Sequence, residues 1–152
     1  MKQLNLELSA LGSLMIAVGM LGSVPMVRAE SGDDAACSNR ILRGDYGFAV
    51  EGAIIGFGPL RGVAMTHFDG AGKLRQVDHV VVNGIPPAVD WNPGTGTYTV
   101  NADCTGTAQI NNVQGPQINL RFVVVREGKE IHTVVNDPGY ATTSVGIKVE
   151  GR

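Results

Sequence analysis

The segment Gly96–Thr107, GTYTVNADCTGT, combines a strand pattern with a cysteine. Its apolar residues, beginning with Tyr98 and Val100, alternate with polar ones, which is typical of a β-strand with one buried face. The run leads into Cys104, and the chain has only one other cysteine, Cys37. The segment therefore predicts a strand that a disulfide ties to the start of the folded domain.

The first 29 residues have the features of a secretory signal peptide. Lys2 gives a basic start, an apolar stretch runs from Ala10 to Val24, and Val27-Arg28-Ala29 supplies a cleavage site after about Ala29. The apolar stretch is shorter than the roughly 20 residues that a membrane-spanning helix needs. We expect a secreted or periplasmic bacterial protein with no membrane insertion after cleavage.

The remaining residues, 30–152, are enough for a single domain, with 30–36 as a short flexible leader. This part carries 10 basic and 13 acidic residues. It contains no cluster of Lys or Arg, which argues against nucleic acid or an anionic membrane surface as a partner.

Both cysteines lie in the exported part, where an oxidising compartment favours their pairing. A Cys37–Cys104 disulfide would close a loop of 67 residues. The chain-entropy argument assigns such a loop roughly 4 kcal/mol of stabilisation. Two buried free thiols are the alternative.

No segment after residue 30 shows helical periodicity, whereas short runs of Val, Ile and Thr recur between turn signals. Asp69-Gly70-Ala71-Gly72 is the strongest hairpin signal, because glycine adopts positive φ without strain. The predicted strands are Asp45–Ile54, Leu60–Phe68, Lys73–Val82, Gly96–Asn101, Gly106–Asn111, Gln117–Arg126, Glu130–Val135 and Ala141–Val149.

Eight short strands joined by tight turns predict an all-β fold. We expect an eight-stranded antiparallel up-and-down β-barrel, because closure removes both exposed sheet edges. A β-sandwich is the alternative. Asn83–Gly94, with Pro86, Pro87 and Pro93, is predicted to be irregular.

Several motifs support this fold by resemblance. Gly44-Asp45-Tyr46-Gly47-Phe48, Phe68–Gly72, Gly96–Val100 and Asp103–Thr107 resemble segments of small secreted bacterial β-barrel proteins. Those barrels are similar to the calycin-like barrels of allene oxide cyclases and dirigent proteins. The resemblance spans most of residues 37–150 and implies the barrel fold. It transfers no catalytic residue, because the matching positions are turn glycines, a cysteine and core aromatics.

Metal binding is not expected. His67, His79 and His132 fall on three strands, and imidazole suits zinc or copper. However, the strand alternation places His132 on the face opposite to Ile131 and Val135, so the three rings do not share a face.

Recognised catalytic machinery is also absent from the sequence. Asp69, Asp78, Asp90 and Asp103 are the candidate carboxylates for acid–base chemistry, but Asp69 fits a structural role in a turn and Asp103 fits a structural hydrogen bond at a strand break equally well. Asp78 and His79 are adjacent in one strand and therefore point to opposite faces. The chain has no nucleophile elbow, metalloprotease helix or phosphate-binding glycine loop, and no cofactor is expected.

The favoured function is the binding of a small apolar molecule inside the barrel. The residues expected to face inward are Tyr46, Phe48, Val50, Val63, Met65, Val77, Val81, Tyr98, Val100, Leu120, Phe122, Val124, Ile131, Val135, Val145 and Ile147. The candidate ligand-binding residues are Tyr46, Phe48, Met65, His79, Trp91, Tyr98 and Phe122. Trp91 would serve as a lid at the barrel mouth or, alternatively, as an anchor for its loop.

Two other functions remain open. A cofactor-free cyclase or isomerase would use Tyr46, Tyr98 or His79 to supply a proton or hydrogen bond. A structural or protein-interacting envelope component would need no cavity.

The sequence also predicts a homo-oligomer. An outward apolar stripe is expected on strands 3, 6 and 7, and such patches commonly mark protein contacts. Its members are Val80, Val123, Val125 and Val134. The resemblance implies the same, since the related barrels tend to form dimers or trimers.

Overall fold

The computed structural model describes residues 36–151 and shows a closed barrel of eight antiparallel strands in chain order. The predicted barrel is confirmed, and the sandwich is excluded. The predicted signal peptide and all but the last residue of the leader lie outside the described residues. The strands are β1 Gly44–Ile54, β2 Gly58–Phe68, β3 Lys73–Val82, β4 Asn92–Val100, β5 Thr105–Asn112, β6 Gln117–Val125, β7 Glu130–Val135 and β8 Tyr140–Lys148.

The barrel closes through β1, which pairs with β2 along its whole length and with β8 on its other side. Phe48, for example, lies opposite Ala64 of β2 and Gly146 of β8. Within residues 36–151 every strand thus has two neighbours, and no strand lies at the edge of the sheet.

One end of the barrel is filled by the beginning of the described chain. A short 3-10 helix, Asn39–Leu42, places Leu42 in full burial against the barrel interior. Phe68 lies at the centre of an aromatic cluster at this end. Its ring packs edge-on against the ring of Tyr46, with centroids 5.4 Å apart, and against the ring of Tyr98, with centroids 4.9 Å apart. Leu42 and this buried aromatic cluster form the core of what we call the closed end.

Polar contacts fix the same end. Asn39 Oδ1 accepts a hydrogen bond from Val100 N at 2.7 Å, and its carbonyl accepts one from the Tyr98 hydroxyl at 3.1 Å. The predicted Cys37–Cys104 disulfide is confirmed, with the two Cα atoms 5.0 Å apart. The disulfide therefore holds the plugging segment against the barrel.

The inward faces agree with the sequence prediction on β1, β4, β6 and β7, and are reversed on β2, β3 and β8. The residues expected inside but found on the outer face are Val63, Met65, Val77, Val81, Val145 and Ile147. Val80, expected outside, faces inward instead. The reason is that the middle inward positions of these strands hold small or polar side chains, such as Ala64, Gln76 and Ser144, whereas the outer face there carries larger apolar ones.

The strand bounds differ mainly at β4, which begins at Asn92 rather than Gly96. Pro93 lies within β4, opposite Val77 of β3, so the prediction of an irregular stretch is wrong for its last three residues. The pairing of β3 with β4 reaches only from Lys73 to Asp78. No helix among residues 36–151 is long and apolar enough to cross a membrane.

Candidate functional site

The interior of the barrel above the closed end is a cavity of about 330 Å³ that opens at the other end. The sizes of the inward side chains explain why they do not fill this part of the interior. Small residues face inward at its middle level, including Gly62, Ala64 and Gly94, while the large aromatic side chains are concentrated at the closed end. The cavity is within the range of volumes that small-molecule sites occupy.

Two phenylalanines form the floor of the cavity. Phe48 lies opposite Gly146, and Phe122 lies opposite Gly106. A Cβ atom at either glycine would overlap the facing ring, so each ring covers the bare backbone of its neighbouring strand. The floor is therefore apolar and tightly packed.

One wall of the cavity is polar. Gln76 of β3 is its centre: its Nε2 donates to Asp78 Oδ2 at 3.0 Å and to Asn112 Oδ1 at 3.5 Å, and its Oε1 accepts from Thr66 at 3.3 Å. Gly94 lies between Gln76 and Asn112 in the sheet, and a Cβ there would be 2.8 Å from Asn112 Oδ1. The missing side chain at this position thus lets the two amides meet across β4.

Asp78 is the only Asp, Glu, Lys, Arg or His among the residues that line the cavity. Burial raises the pKa of its carboxyl above the usual value, and hydrogen bonds from Gln76 and Asn92, with the nearby His79, only partly offset this. Within residues 36–151, no salt bridge involves Asp78. The wall therefore presents a half-buried carboxyl without a cationic partner.

The opposite wall carries a smaller polar pair. Thr133 Oγ1 of β7 and Ser144 Oγ of β8 are 2.6 Å apart. The inward neighbours of Thr133 on β7, Ile131 and Val135, are apolar. The cavity thus offers mainly apolar surface with hydrogen-bonding groups on two sides.

The open end, or mouth, is formed by the loops 55–57, 83–91, 113–116 and 136–139. Asn92 links the 83–91 loop to the 113–116 loop through two hydrogen bonds. Its Nδ2 donates to Gln114 O at 2.8 Å, and its Oδ1 accepts from Gln114 N at 3.0 Å. These loops contain only two charged residues, Asp90 and Asp137. Their tips expose large apolar side chains, namely Ile55, Phe57, Ile85 and Val113, each at least 67% exposed.

Of the residues predicted to bind ligand, the structure brings Phe48 and Phe122 together in the cavity. Tyr46 and Tyr98 are buried in the closed end instead. The Tyr46 hydroxyl donates to the carbonyl of Gly128, and the Tyr98 hydroxyl is bonded to Asn39 and to Gly70 N. Neither hydroxyl lines the cavity.

Met65, His79 and Trp91 are on the outside of the barrel, contrary to the prediction for the interior. Met65 is 40% exposed and Trp91 is 51% exposed. Trp91 packs edge-on against His79 at 6.1 Å, and His79 Nδ1 lies 2.6 Å from the carbonyl of Asp90. Trp91 therefore anchors the 83–91 loop to the outer wall, as the alternative interpretation proposed.

The other two histidines also lie on the outer face, each beside an acidic side chain. His67 Nδ1 is 2.7 Å from Asp45, and His132 Nε2 is 2.7 Å from Glu130. In the described part of the chain, no group of three His, Cys, Asp or Glu side chains is arranged to hold a metal ion.

The polar wall was missed at the sequence level although a signal for it exists. Lys73 and Arg75 share a face of β3 with Val77 and His79, and charged side chains mark an outward face. That reading places Gln76 and Asp78 inside. Arg61 likewise marks the outward face of β2, which it shares with Val63 and Met65.

No protein-family profile, curated protein or solved structure matches this chain.

Proposed function

We propose that this barrel binds a small, mainly apolar molecule in its interior. The observation that carries the proposal is the cavity of about 330 Å³, which opens at one end and has mostly apolar walls. A preformed apolar cavity with a few polar groups is the usual form of a small-molecule site. Burial of the ligand's apolar surface, at about 25 cal/mol per Å², supplies the driving force.

The mouth supports this proposal. The exposed Phe57 and Ile85 place apolar surface next to the opening, where a ligand arriving from water first makes contact. The segments outside the strands carry most of their charged side chains at the closed end, not at the mouth. These residues are Arg40, Arg43, Asp69, Asp103, Arg126, Glu127 and Lys129.

The proposal includes export. The Cys37–Cys104 disulfide agrees with an oxidising compartment, and the first 29 residues read as a signal peptide. We infer a secreted or periplasmic bacterial binding protein, related in its fold to the allene oxide cyclase and dirigent barrels.

A titration with the neutral fluorophore N-phenyl-1-naphthylamine tests binding. Ala64→Phe would fill the cavity, because Ala64 lines it at the middle level. Ala49→Phe is the matched control, because Ala49 lies exposed on the outer face of the neighbouring strand. We expect the probe to bind the wild type and the control, and binding to Ala64→Phe to be weaker by about tenfold or more. Equal binding by all three proteins would overturn the proposal.

Asp78 favours a cofactor-free cyclase or isomerase as a second candidate. A carboxyl whose pKa is raised by burial is a stronger base than an ordinary aspartate and can exchange a proton with a bound substrate. Asp78 would take the role that the sequence assigned to Tyr46, Tyr98 or His79. Incubation with an enolisable aromatic ketone in D₂O tests this: the wild type should introduce deuterium at the α carbon, and Asp78→Asn should not. Equal incorporation by both proteins would exclude the role.

A further inference from the structure

The cavity contains one carboxyl group, that of Asp78, and no cationic side chain is among the residues that line it. Asp78 lies in the middle of β3, beside Ala64 of β2 and Asn92 of β4. Ala64 is small, so it leaves the carboxylate accessible from the cavity. An ionised carboxylate accepts about four hydrogen bonds, and Gln76 and Asn92 use only part of that capacity.

None of the side chains that face Asp78 from neighbouring elements is cationic. β2 presents Ala64 and Thr66, β4 presents Asn92, and the far wall presents Thr133 and Ser144. His79 follows Asp78 in the chain but points to the outer face, where its ring contacts Trp91. A cation beside this carboxylate would therefore have to come from the ligand.

We propose that the ligand carries a protonated amine that pairs with Asp78, while its apolar part occupies the rest of the cavity. This inference rests on the proposed binding function. A charge-assisted hydrogen bond between ammonium and carboxylate is about twice as strong as a neutral one. An ammonium also has further N–H donors, and the side-chain oxygens of Gln76 and Asn112 lie in the same wall to accept them.

The pairing fixes the pH dependence of binding. A bound cation favours the ionised form of Asp78, so amine binding lowers the pKa that burial has raised. Affinity for an amine should fall as the pH is lowered through the pKa of Asp78. Affinity for a neutral ligand of the same shape should not fall with it.

Two probes of nearly equal shape separate the charge from the apolar part: 1-naphthylmethylamine, which is cationic near pH 7, and 1-naphthalenemethanol, which is neutral. Calorimetry on the mature protein should show the amine binding about tenfold more tightly than the alcohol. Asp78→Asn should remove this preference, so that the amine and the alcohol bind the variant about equally. Asp90→Asn, the same charge change on a loop side chain that is 86% exposed, should leave the preference intact.

The outcomes distinguish this inference from the function on which it rests. If neither probe binds, the proposed binding function fails. If the wild type binds the alcohol as tightly as the amine, the function stands and the amine inference is overturned. The wild-type comparison and its pH dependence require no variant, so they decide the inference even if Asp78→Asn does not fold.

Discussion

The ring of Phe48 lies across Gly146 on the adjacent strand, and a Cβ atom at Gly146 would overlap it. Gly47, the residue before Phe48, faces outward, and a Cβ there would meet nothing within 4 Å. The two glycines are in neighbouring strands of the same sheet, but only one of them shapes the cavity floor. This contrast offers a matched pair of substitutions.

Gly146→Ala should displace the Phe48 ring and lower the free energy of unfolding by about 1–3 kcal/mol. The displaced ring would intrude into the cavity, so affinity for an apolar probe should also fall. Gly47→Ala should be neutral or slightly stabilising, because alanine restricts the unfolded chain more than glycine does. Urea denaturation followed by tryptophan fluorescence measures the free energy of unfolding of both variants. Equal stability of the two variants would show that the floor does not depend on this contact.

Removal of the disulfide should destabilise the protein without changing its architecture. The Cys37–Cys104 bond closes a separation of 67 residues, so Cys37→Ser with Cys104→Ser should lose about 4 kcal/mol in the chain-entropy model. Chemical denaturation of the double variant, compared with the oxidised wild type, gives the difference. If the two proteins have the same free energy of unfolding, the bond does not stabilise the closed end.

Tyr46 should make the barrel sensitive to high pH. Burial, with a smaller effect from Tyr98, raises the pKa of Tyr46 to about 12. Because an unfolded tyrosine titrates near 10, the contribution is fully present below about pH 10 and is lost as the pH rises to about 12. Between about pH 10 and about pH 12, titration of this residue should lower the free energy of unfolding of the wild type by about 2–3 kcal/mol.

Tyr46→Phe tests the assignment. At neutral pH the free energy of unfolding of the variant should be about 1 kcal/mol lower than that of the wild type, because it lacks the hydrogen bond to Gly128. Above about pH 10 its stability should fall less steeply than that of the wild type. Parallel stability curves in the alkaline range would contradict the role of Tyr46.

The sequence predicts the barrel well because its local signals are independent of which face is buried. Alternation predicts each strand, and turns such as Asp69–Gly72 join them: Asp69 Oδ1 accepts hydrogen bonds from Ala71 N and Lys73 N, as turn chemistry requires. The cysteine pairing follows from the presence of only two cysteines.

The cavity was harder to predict, because a shift of one residue in parity exchanges the two faces of a strand. On β3, the alternation of Val77 and Val81 predicts the wrong face and so places Asp78 outside, whereas its side chain lines the cavity. The contact of Asp78 with Gln76 lies within β3, but the register across β4 is needed to bring Asn92 and Asn112 into the same wall. That proximity depends on the barrel register, which one strand cannot reveal.

The outer surface of the barrel is divided into an apolar and a polar side. Val145, Ala49 and Val63 lie side by side on β8, β1 and β2, and Ile147, Gly47 and Met65 form a second row. On β4 and β5, the outer face carries mostly polar residues, namely Thr95, Thr97, Thr99, Thr105, Thr107, Gln109 and Asn111. Val123, Val125 and Val134 face outward as the sequence predicted and add apolar surface on β6 and β7, although His132 lies between Val145 and Val123 in the sheet.

We therefore predict a homo-oligomer that buries the apolar side. Light scattering on the mature protein at micromolar concentration should give a multiple of the single-chain mass. Val63→Arg should dissociate it, because the interface would have to bury an unpaired charge, whereas Thr107→Arg on the polar side should not. Val63 is 50% exposed in the single chain, so the substitution should leave the fold intact. A single-chain mass for the wild type would contradict the prediction.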